Sequence, residues 1–330
     1  MTCASDFQNE LAEIETDLVM ILSTARTHGR GPQRLPDRED RGKRVTTFQV
    51  ETNDQARSVL GALDRPDRHI YVDIERKQDL DLAAIARDVV RKARVHPTKP
   101  NDTTVDALSA LLTNHIGHDV TDLPVTVFGT GNLGFKFALR LAEGGARVAL
   151  TGRDSEKTRS LVDAINCVLP PFSPHHVTTS LPESGTRVFI SAVTATAIIG
   201  PSWLSRLAAP SLCVDVGIGN FTPEFIHQAH QRGHTVMRLD VRCAGDPLPL
   251  RPNPFFLTVA GNRRIGDINI VGGGLIGTLG AIVVDNVTQP SLVVGVADGF
   301  GGLLPEPSWN APMRDHVQTM RSWIIIGIPA

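Results

Sequence analysis

Val125-Thr126-Val127-Phe128-Gly129-Thr130-Gly131-Asn132-Leu133-Gly134 is the stretch on which the reading of the chain turns. Its first four residues form a strand-like run, and a Gly-x-Gly-x-x-Gly turn follows without a break. Phe135, Ala138, Leu139 and Leu141 then recur at helical spacing until Gly144-Gly145, and Arg147-Val148-Ala149-Leu150 makes a second apolar run. Strand, glycine turn, helix, strand is the context in which this spacing carries meaning. Gly129 permits the tight turn, Gly131 lets a pyrophosphate approach the backbone, and Gly134 lets the helix lie against the strand. With Thr130, Asn132 and Leu133 between them, the turn presents free N–H groups at the helix start to a phosphate. The stretch therefore predicts a dinucleotide-binding α/β unit.

The tip of the second strand speaks to the choice of cofactor. NAD-binding units place an acid there to take the ribose hydroxyls. This chain reads Leu150-Thr151-Gly152-Arg153-Asp154-Ser155, with no acid at the tip. Thr151 offers a hydrogen bond and Arg153 a bidentate fork suited to the 2′-phosphate of NADP. NADP is expected over NAD. Asp154 has three readings at this stage: partner of Arg153, ribose ligand, or cap of the next helix.

The bounds are those of an ordinary globular enzyme. The chain has 330 residues, enough for two domains, with 21% charged and 41% hydrophobic residues. A net charge of −2 implies no general attraction to nucleic acid or to an anionic membrane. Cys3, Cys167, Cys213 and Cys243 are scattered, as expected for reduced thiols of a cytoplasmic protein. The first residues lack the basic-then-apolar pattern of a signal peptide. The apolar run Ile268 to Val284 is broken by glycines and predicts no membrane span.

In chain order, Leu11, Ile14, Leu18, Ile21 and Leu22 show helical spacing within 7–27. Residues 27–44 read as a polar loop, with the charge run Arg38 to Arg44 a solvated face. Val45 to Val50 and Arg68 to Ile74 read as strands, Gln55 to Leu63 and Leu80 to Ala93 as helices. The segment Val95 to Thr104, with Pro97 and Pro100, reads as a stiff loop whose Asp102 or Thr103 caps a helix through Leu112. Strands at 187–192, 212–217 and 235–239 and helices at 155–166, 202–207 and 222–232 continue the alternation. Residues 242–264 are proline-rich and irregular, and 313–323 make a last helix. The alternation predicts an α/β fold in which a small N-terminal α/β substrate domain (1–108) precedes a doubly wound, parallel Rossmann domain (109–290). Residues 291–330 are expected to return toward the N-terminal domain. The apolar stretch Ile268 to Val296 either fills a core or packs against a second copy as a homodimer.

Several segments resemble the two-domain, amino-acid-dehydrogenase-like superfamily that includes shikimate dehydrogenase and methylenetetrahydrofolate dehydrogenase. Val72-Asp73-Ile74-Glu75-Arg76-Lys77 resembles the shikimate dehydrogenase strand that ends in a catalytic lysine. Thr151 to Lys157 resembles that family's NADP-reading Asn-Arg-Thr stretch, and Ser191-Ala192-Val193-Thr194 its Asn-Ala-Thr-Pro loop beside the nicotinamide. Val214-Asp215-Val216-Gly217-Ile218 is similar to the Val-Ile-Asp-Val-Gly-Ile-Asn strand of methylenetetrahydrofolate dehydrogenase. Ile265-Gly266-Asp267-Ile268 and Gly273 to Leu279, followed by Asp285-Asn286, are similar to further segments of that family. The Tyr-x-x-x-Lys motif of the latter and the full Asn-Thr-Asp-Gly motif of the former are absent. The resemblance spans about residues 68 to 290 and implies a substrate cleft between the domains. It implies a cofactor site that adds Ala192, Val193, Thr194, Val216 and Gly217 to the glycine turn.

Hydride transfer to or from a C–O or C–N bond needs one protein group to exchange a proton with the heteroatom. Lys77, at a strand's end, is the candidate, and Asp102 its expected partner; Asn101 and Thr103 are alternatives one residue away. His227, His230 and His234 recur near helical spacing, but Gly233 breaks the helix before His234, so no metal is expected. Arg242, Arg251, Arg263 and Arg264 either clamp an anionic substrate or serve solubility. The expected function is an NADP-dependent oxidoreductase for a small polar metabolite. A one-carbon folate enzyme and a non-catalytic NADP sensor are the alternatives.

Overall fold

The computed structural model describes residues 11, 14–24, 29, 31–40, 42–75, 77–244, 258, 261–272 and 278–328. The chain divides into two compact units, Met1–Leu250 and Arg251–Ala330.

The first unit holds two sheets. β1 (Leu18–Ser23), β2 (Gln33–Asp40) and β3 (Lys43–Val50) are followed by α1 (Asn53–Ala62), β4 (His69–Asp73), α2 (Leu82–Val89) and β5 (Arg94–Thr98). Their strand order is β2-β3-β1-β4-β5, parallel except for β2. Helix starts follow the local chemistry: Thr52 caps α1 by accepting from Gln55 N at 3.2 Å, and Asp81 caps α2 through Ala84 N at 2.9 Å.

Three sequence-based expectations change here. The helical spacing of Leu18, Ile21 and Leu22 belongs to β1, whose six residues are all buried. A strand covered on both faces is a continuous apolar run, and short runs of that kind carry no period to separate strand from helix. The polar loop expected over 27–44 contains the antiparallel edge strand β2, with Pro36 at an irregularity in its pairing with β3. The stiff loop expected from Val95 contains the edge strand β5, where Pro97 withdraws a donor from a side that needs none.

α3 (Pro100–His115) follows, with Pro100 at its first turn and Lys99 rather than Asp102 or Thr103 at its N-cap. Its Val105, Leu108, Leu111 and Leu112 are buried in the core of the second sheet. The boundary expected at 108 is therefore corrected, since it would cut a helix committed to that core.

The second sheet takes β6 (Pro124–Phe128), α4 (Asn132–Glu143), β7 (Arg147–Thr151), α5 (Ser155–Val168), β8 (Thr186–Ser191), β9 (Leu207–Asp215), α6 (Pro223–Gln231) and β10 (Thr235–Arg238). The order is β10-β9-β8-β6-β7, all parallel. Thr178 adds a single parallel bridge outside β7: its N–H donates to Val148 O at 3.0 Å, and its carbonyl accepts from Leu150 N at 2.9 Å. Thr178 stands where a third strand would lie, so the order becomes the 3-2-1-4-5-6 of dinucleotide-binding sheets. The fold is doubly wound α/β, as expected, with its switch point between β6 and β8.

The second unit is an independent sheet of β11 (Asn262–Ile265), β12 (Ile268–Val271), β13 (Ile282–Val284) and β14 (Val293–Val296), in that order. α7 (Ala311–Ile326) buries Val317 and Met320 in a cluster with Ile268, Ile270, Ile282 and Val296. The expected boundary at 290 is corrected: it would separate β13 from β14, which pair antiparallel. Residues 291–330, expected to return toward the N-terminal domain, contain β14 and α7, which pack into this sheet's own core.

The glycine turn gives a stability test. A Cβ on Gly134 would lie 1.8 Å from Gly129 O, whereas one on Gly131 meets nothing within 4 Å. Gly134→Ala should lose about 3 kcal/mol in urea unfolding, the upper end for overpacking. Gly131→Ala should stay within about 0.5 kcal/mol of wild type. Equal stabilities would contradict this packing.

Candidate functional site

The glycine turn is built by close approach. Gly129 ends β6 with φ +140°, and a Cβ there would stand 2.5 Å from Ala192 O. Its neighbour across the switch point is thus the backbone that follows β8. Gly131 is the N-cap of α4 without a side-chain cap, so the first N–H groups of that helix lack partners within it. Thr130 packs beside Gly152, where a Cβ would lie 2.7 Å from its methyl carbon. At the tip of β7, Thr151 is half-buried and Arg153 exposed. No hydrogen bond or ion pair among the described residues engages the Arg153 guanidinium. Asp154 is committed: it accepts from Lys157 N at 2.9 Å and caps α5.

The loops after β8 and β9 are stapled together by Asn220, which sequence reasoning missed. It is fully buried. Its Oδ1 accepts from Ser191 Oγ at 2.9 Å, and its Nδ2 donates to Val193 O at 3.0 Å and Ala195 O at 2.7 Å. Asp215 Oδ2 accepts from Gly219 N at 2.7 Å and Asn220 N at 3.0 Å, fixing the turn from which Asn220 reaches back. Gly217 is required there, since a Cβ would lie 1.9 Å from Val193 O. Ile218 next to it holds φ +63°, a strained backbone for a β-branched residue. The signal available in sequence was the polar pair Asp215 and Asn220 around glycines, which the family resemblance left unused.

These loops wall a cavity of about 420 Å³ together with the ends of β1, β2, β5 and β10. Leu133, Ala192, Val193, Thr194, Val216 and Gly217, all predicted, line it. So does Lys77. Asn101 and Thr103 line it as well, and Asp102 is not among its lining residues.

The expected Lys77–Asp102 pair is corrected. Lys77 Nζ lies 3.1 Å from Asp73 Oδ2 and 3.4 Å from Glu75 Oε2. Asp73 is buried, and its Oδ2 also accepts from Ser23 Oγ at 2.5 Å and Ser23 N at 3.2 Å. Its Oδ1 accepts from Glu75 N at 2.8 Å. Asp102 instead meets Lys136 of α4 at 2.5 Å and Lys99 at 3.6 Å. The reason is helical position: in the first turn of α3 its side chain meets α4, as the contact with Lys136 shows. Burial pulls the Asp102 carboxyl upward, but the bond and charge of Lys136, helped by Lys99, hold it below the usual aspartate value. Glu75 is pushed up, chiefly by burial, although Lys77 and Lys136 oppose this. Lys136 Nζ is 3.9 Å from Glu75 Oε1, and Asn101 N donates to Glu75 Oε2 at 3.1 Å. Glu75 is therefore shared between a lysine of the first sheet and one of the second.

The charge run expected to be solvated also changes, because Arg38 lines the cavity. Across from it stands Asp240, held down to about 2 by its hydrogen bonds from the Arg242 side chain and backbone. Arg242 is thus an ion-pair residue. Arg263 and Arg264 donate to Thr288 O and Gly266 O, backbone of their own unit. Arg76, Arg251 and the glycine stretch 273–277 lie outside the described residues. His234 Nδ1 accepts from Ser211 N at 3.2 Å, and His227 meets Gln231 at 2.9 Å. Among the described residues no three His, Cys, Asp or Glu are grouped to hold a metal ion. No described helix is long and apolar enough to cross a membrane.

No family model and no curated protein matches the sequence. Among solved structures, the chain is similar to a shikimate dehydrogenase in complex with NADP+, at 13% identity, covering 69% of this chain and 88% of that one with TM-score 0.44. It is also similar to ligand-free 5-ketofructose reductase of Gluconobacter sp. strain CHM43 (15%, 68% and 87%, TM-score 0.41). A third likeness is the A chain of dipicolinate synthase from Bacillus subtilis (19%, 69% and 72%, TM-score 0.36). Scores of this size place no residue and assign no activity.

Asn220 offers a direct test of how the site is held. Asn220→Ala should cost on the order of 3 kcal/mol by leaving Ser191 and two carbonyls without their partner. Asn220→Asp should be no better at neutral pH, because a carboxylate would face Val193 O and Ala195 O. Urea unfolding of both variants measures it, and wild-type stability in either would refute the staple.

Proposed function

We propose that the first unit is an NADP-dependent oxidoreductase that transfers a hydride between nicotinamide and a small polar metabolite. The observation that carries the reading is that Lys77, held by a buried carboxylate, opens into the cavity lined by the loops after β8 and β9. In doubly wound sheets ligands bind outside the carboxyl ends of the strands at the switch point, which is where this cavity lies.

The residues present fit the cofactor. The space over Gly131 is open and the N–H groups at the start of α4 are unpaired within the helix, which suits a pyrophosphate. Thr151 and the unengaged Arg153 would take the 2′-phosphate, and Asp154, occupied as a cap, does not compete for the ribose. Ala192, Val193, Thr194, Val216 and Gly217 would flank the nicotinamide, which when bound supplies or accepts the hydride.

The chain's own part is the proton. In the reducing direction the Lys77 ammonium gives a proton from Nζ to the carbonyl oxygen or imine nitrogen of the substrate. Asp73 aims the amine and is itself aimed by Ser23, so the group enters each cycle in one geometry. In the oxidising direction neutral Lys77 takes the proton back. A residue in this role inside the cavity favours an enzyme over a silent NADP sensor. The one-carbon folate alternative rested partly on residues 273–277, which the structure does not describe.

Calorimetry with NADPH and NADH tests the cofactor assignment. Gly131→Val should abolish binding of both. Arg153→Ala should lose roughly 1.5–3 kcal/mol for NADPH and little for NADH, the worth of charge-assisted hydrogen bonds. Equal losses would remove Arg153 from the phosphate site.

The proton role has its own test, with any substrate that NADPH consumption identifies. Lys77→Ala should bind NADPH normally and turn over about 10²–10⁴-fold more slowly. Asp73→Asn should fall in the same range, and the double variant should be little worse than the weaker single, because groups acting as one unit are not additive. Asp102→Asn should leave turnover near wild type. If Asp102→Asn cripples the enzyme while Asp73→Asn does not, the pairing proposed here is wrong.

A further inference from the structure

Arg38 is a cation in search of a partner. It is half-buried on β2, lines the cavity, and no hydrogen bond or ion pair among the described residues engages it. Its presence there is built, not incidental. Between Leu35 and Arg38 β2 advances three residues while β3 advances two, Thr47 to Val45. Such an irregularity turns a side chain that would face the opposite side back onto the face of Leu35. Leu35 and Arg38 accordingly both line the cavity.

Burial weighs most against the charge of Arg38; Asp240 attracts it and Arg242 repels it. Asp240 is already spent. Its two oxygens accept from Arg242 Nε at 3.0 Å each, from the guanidinium's terminal nitrogen at 2.5 Å, and from Arg242 N at 2.9 Å. Arg238, on β10, adds a second guanidinium to the same wall. A desolvated charge without a hydrogen-bonded counterpart is costly, so it persists where a ligand supplies one.

The wall is remote from Lys77. In the first sheet β2 and β4 are separated by β3 and β1, and in the second β10 and β6 are separated by β9 and β8. Three strand spacings amount to roughly 14 Å in each case. Lys77 and Asn101 mark one end of the cavity, Arg38 and Arg238 the other, and the loops after β8 and β9 lie between.

Resting on the oxidoreductase reading, we infer that the substrate is a carboxylic acid whose carboxylate pairs with Arg38 at the end of the cavity away from Lys77. The reacting C–O or C–N bond is separated from that carboxylate by several bonds. A planar guanidinium binds a carboxylate in a bidentate fork, which fixes the long axis of the substrate as well as its charge. With strands β2 and β4 three spacings apart, an acid whose carboxylate is several bonds from the reacting carbon suits the two ends better than a 2-oxo acid, whose two functions sit on adjacent carbons.

Two measurements test this, and only one needs turnover. In the first, phenylglyoxal modification of the whole protein is mapped by mass spectrometry, with glutarate, inorganic phosphate or sodium chloride at equal ionic strength. Glutarate should slow modification of Arg38 at least tenfold and leave exposed Arg159 unchanged. No shielding by glutarate, or equal shielding by chloride, overturns the inference. Shielding by phosphate alone overturns the carboxylate in favour of a phosphate ester. In the second, NADPH consumption is followed with 2-oxo and 5-oxo acids and their methyl esters. The 5-oxo acid should exceed both its ester and the 2-oxo acid by at least tenfold in kcat/KM, and Arg38→Ala should erase the preference for acid over ester. A faster 2-oxo acid overturns the inferred spacing. NADPH calorimetry on wild type and Arg38→Ala separates the two levels. Loss of NADPH binding in wild type would defeat the oxidoreductase reading itself, whereas normal binding in both, with no anion effect, defeats only the anion site.

Discussion

There is no room for a side chain where β6 ends. The carbonyl of Gly129 lies where the Cβ of residue 134 would be, and the carbonyl of Ala192 lies where the Cβ of residue 129 would be. Helix α4, strand β6 and the loop after β8 are thus brought together by backbone contact, not by side chains that could repack. Everything that follows in the site inherits this closeness. The loop after β8 is held against the turn, Asn220 binds it to the loop after β9, and Gly217 is squeezed between them. One wall of the cavity is therefore set by close main-chain contacts and by the hydrogen bonds of Asn220.

A second set of contacts is electrostatic, and of its groups Ser23 and Lys77 line the cavity. Ser23, Asp73, Lys77, Glu75, Lys136 and Asp102 form an alternating run of polar and charged groups, and it crosses from the first sheet to α4 of the second. Asn101 repeats the crossing, with its Nδ2 donating to Asn132 Oδ1 at 3.0 Å. Asn132 opens the helix that would face the pyrophosphate. Lys77 and the glycine turn are consequently joined by a short series of contacts rather than by a shared core. Two lysines competing for one buried glutamate is an arrangement that small movements of α4 would rebalance.

The second sheet was legible because its signals are local. Glycines at fixed spacing, apolar runs between turns and helix caps such as Thr222 state their structure within a few residues. Leu133, Ala192, Val193, Thr194, Val216 and Gly217, which line the cavity, were singled out in the sequence for the same reason. The first sheet hid more, since β1 is apolar on both faces and β2 and β5 are edge strands carrying prolines. Their identity comes from neighbours distant in sequence. The partner of Lys77 was misread because Asp102 was taken as its natural counter-charge, whereas Asp73, on the strand just before Lys77, holds it. The choice between Asp73 and Asp102 depends on which way α3 faces. Arg38 was hidden by composition: in a run of charges, nothing local marks the one residue that a pairing irregularity turns inward. Beyond residue 250 the apolar stretch Ile268 to Val296 left core filling and packing against a second copy open, and the pairing of β13 with β14 is a long-range fact with no short-range sign.

Thr178 has a bearing on evolution of the chain. Because one residue stands in for a whole strand, the connection between α5 and β8 is tied at a few points: Val177 is buried and paired with the Asn166 side chain, and His175 meets Asp122. Pro170, Pro171 and Pro174 precede Thr178 and offer no N–H groups for another strand to pair with. Between these ties the segment can lengthen or shorten without disturbing the sheet's register, since a single pair of hydrogen bonds joins it to β7. It runs beside β7, whose tip carries the residues assigned to the cofactor's adenosine end. A lineage of this fold thus has a place to vary the surroundings of Thr151 and Arg153 while the glycine turn and Lys77 stay as they are.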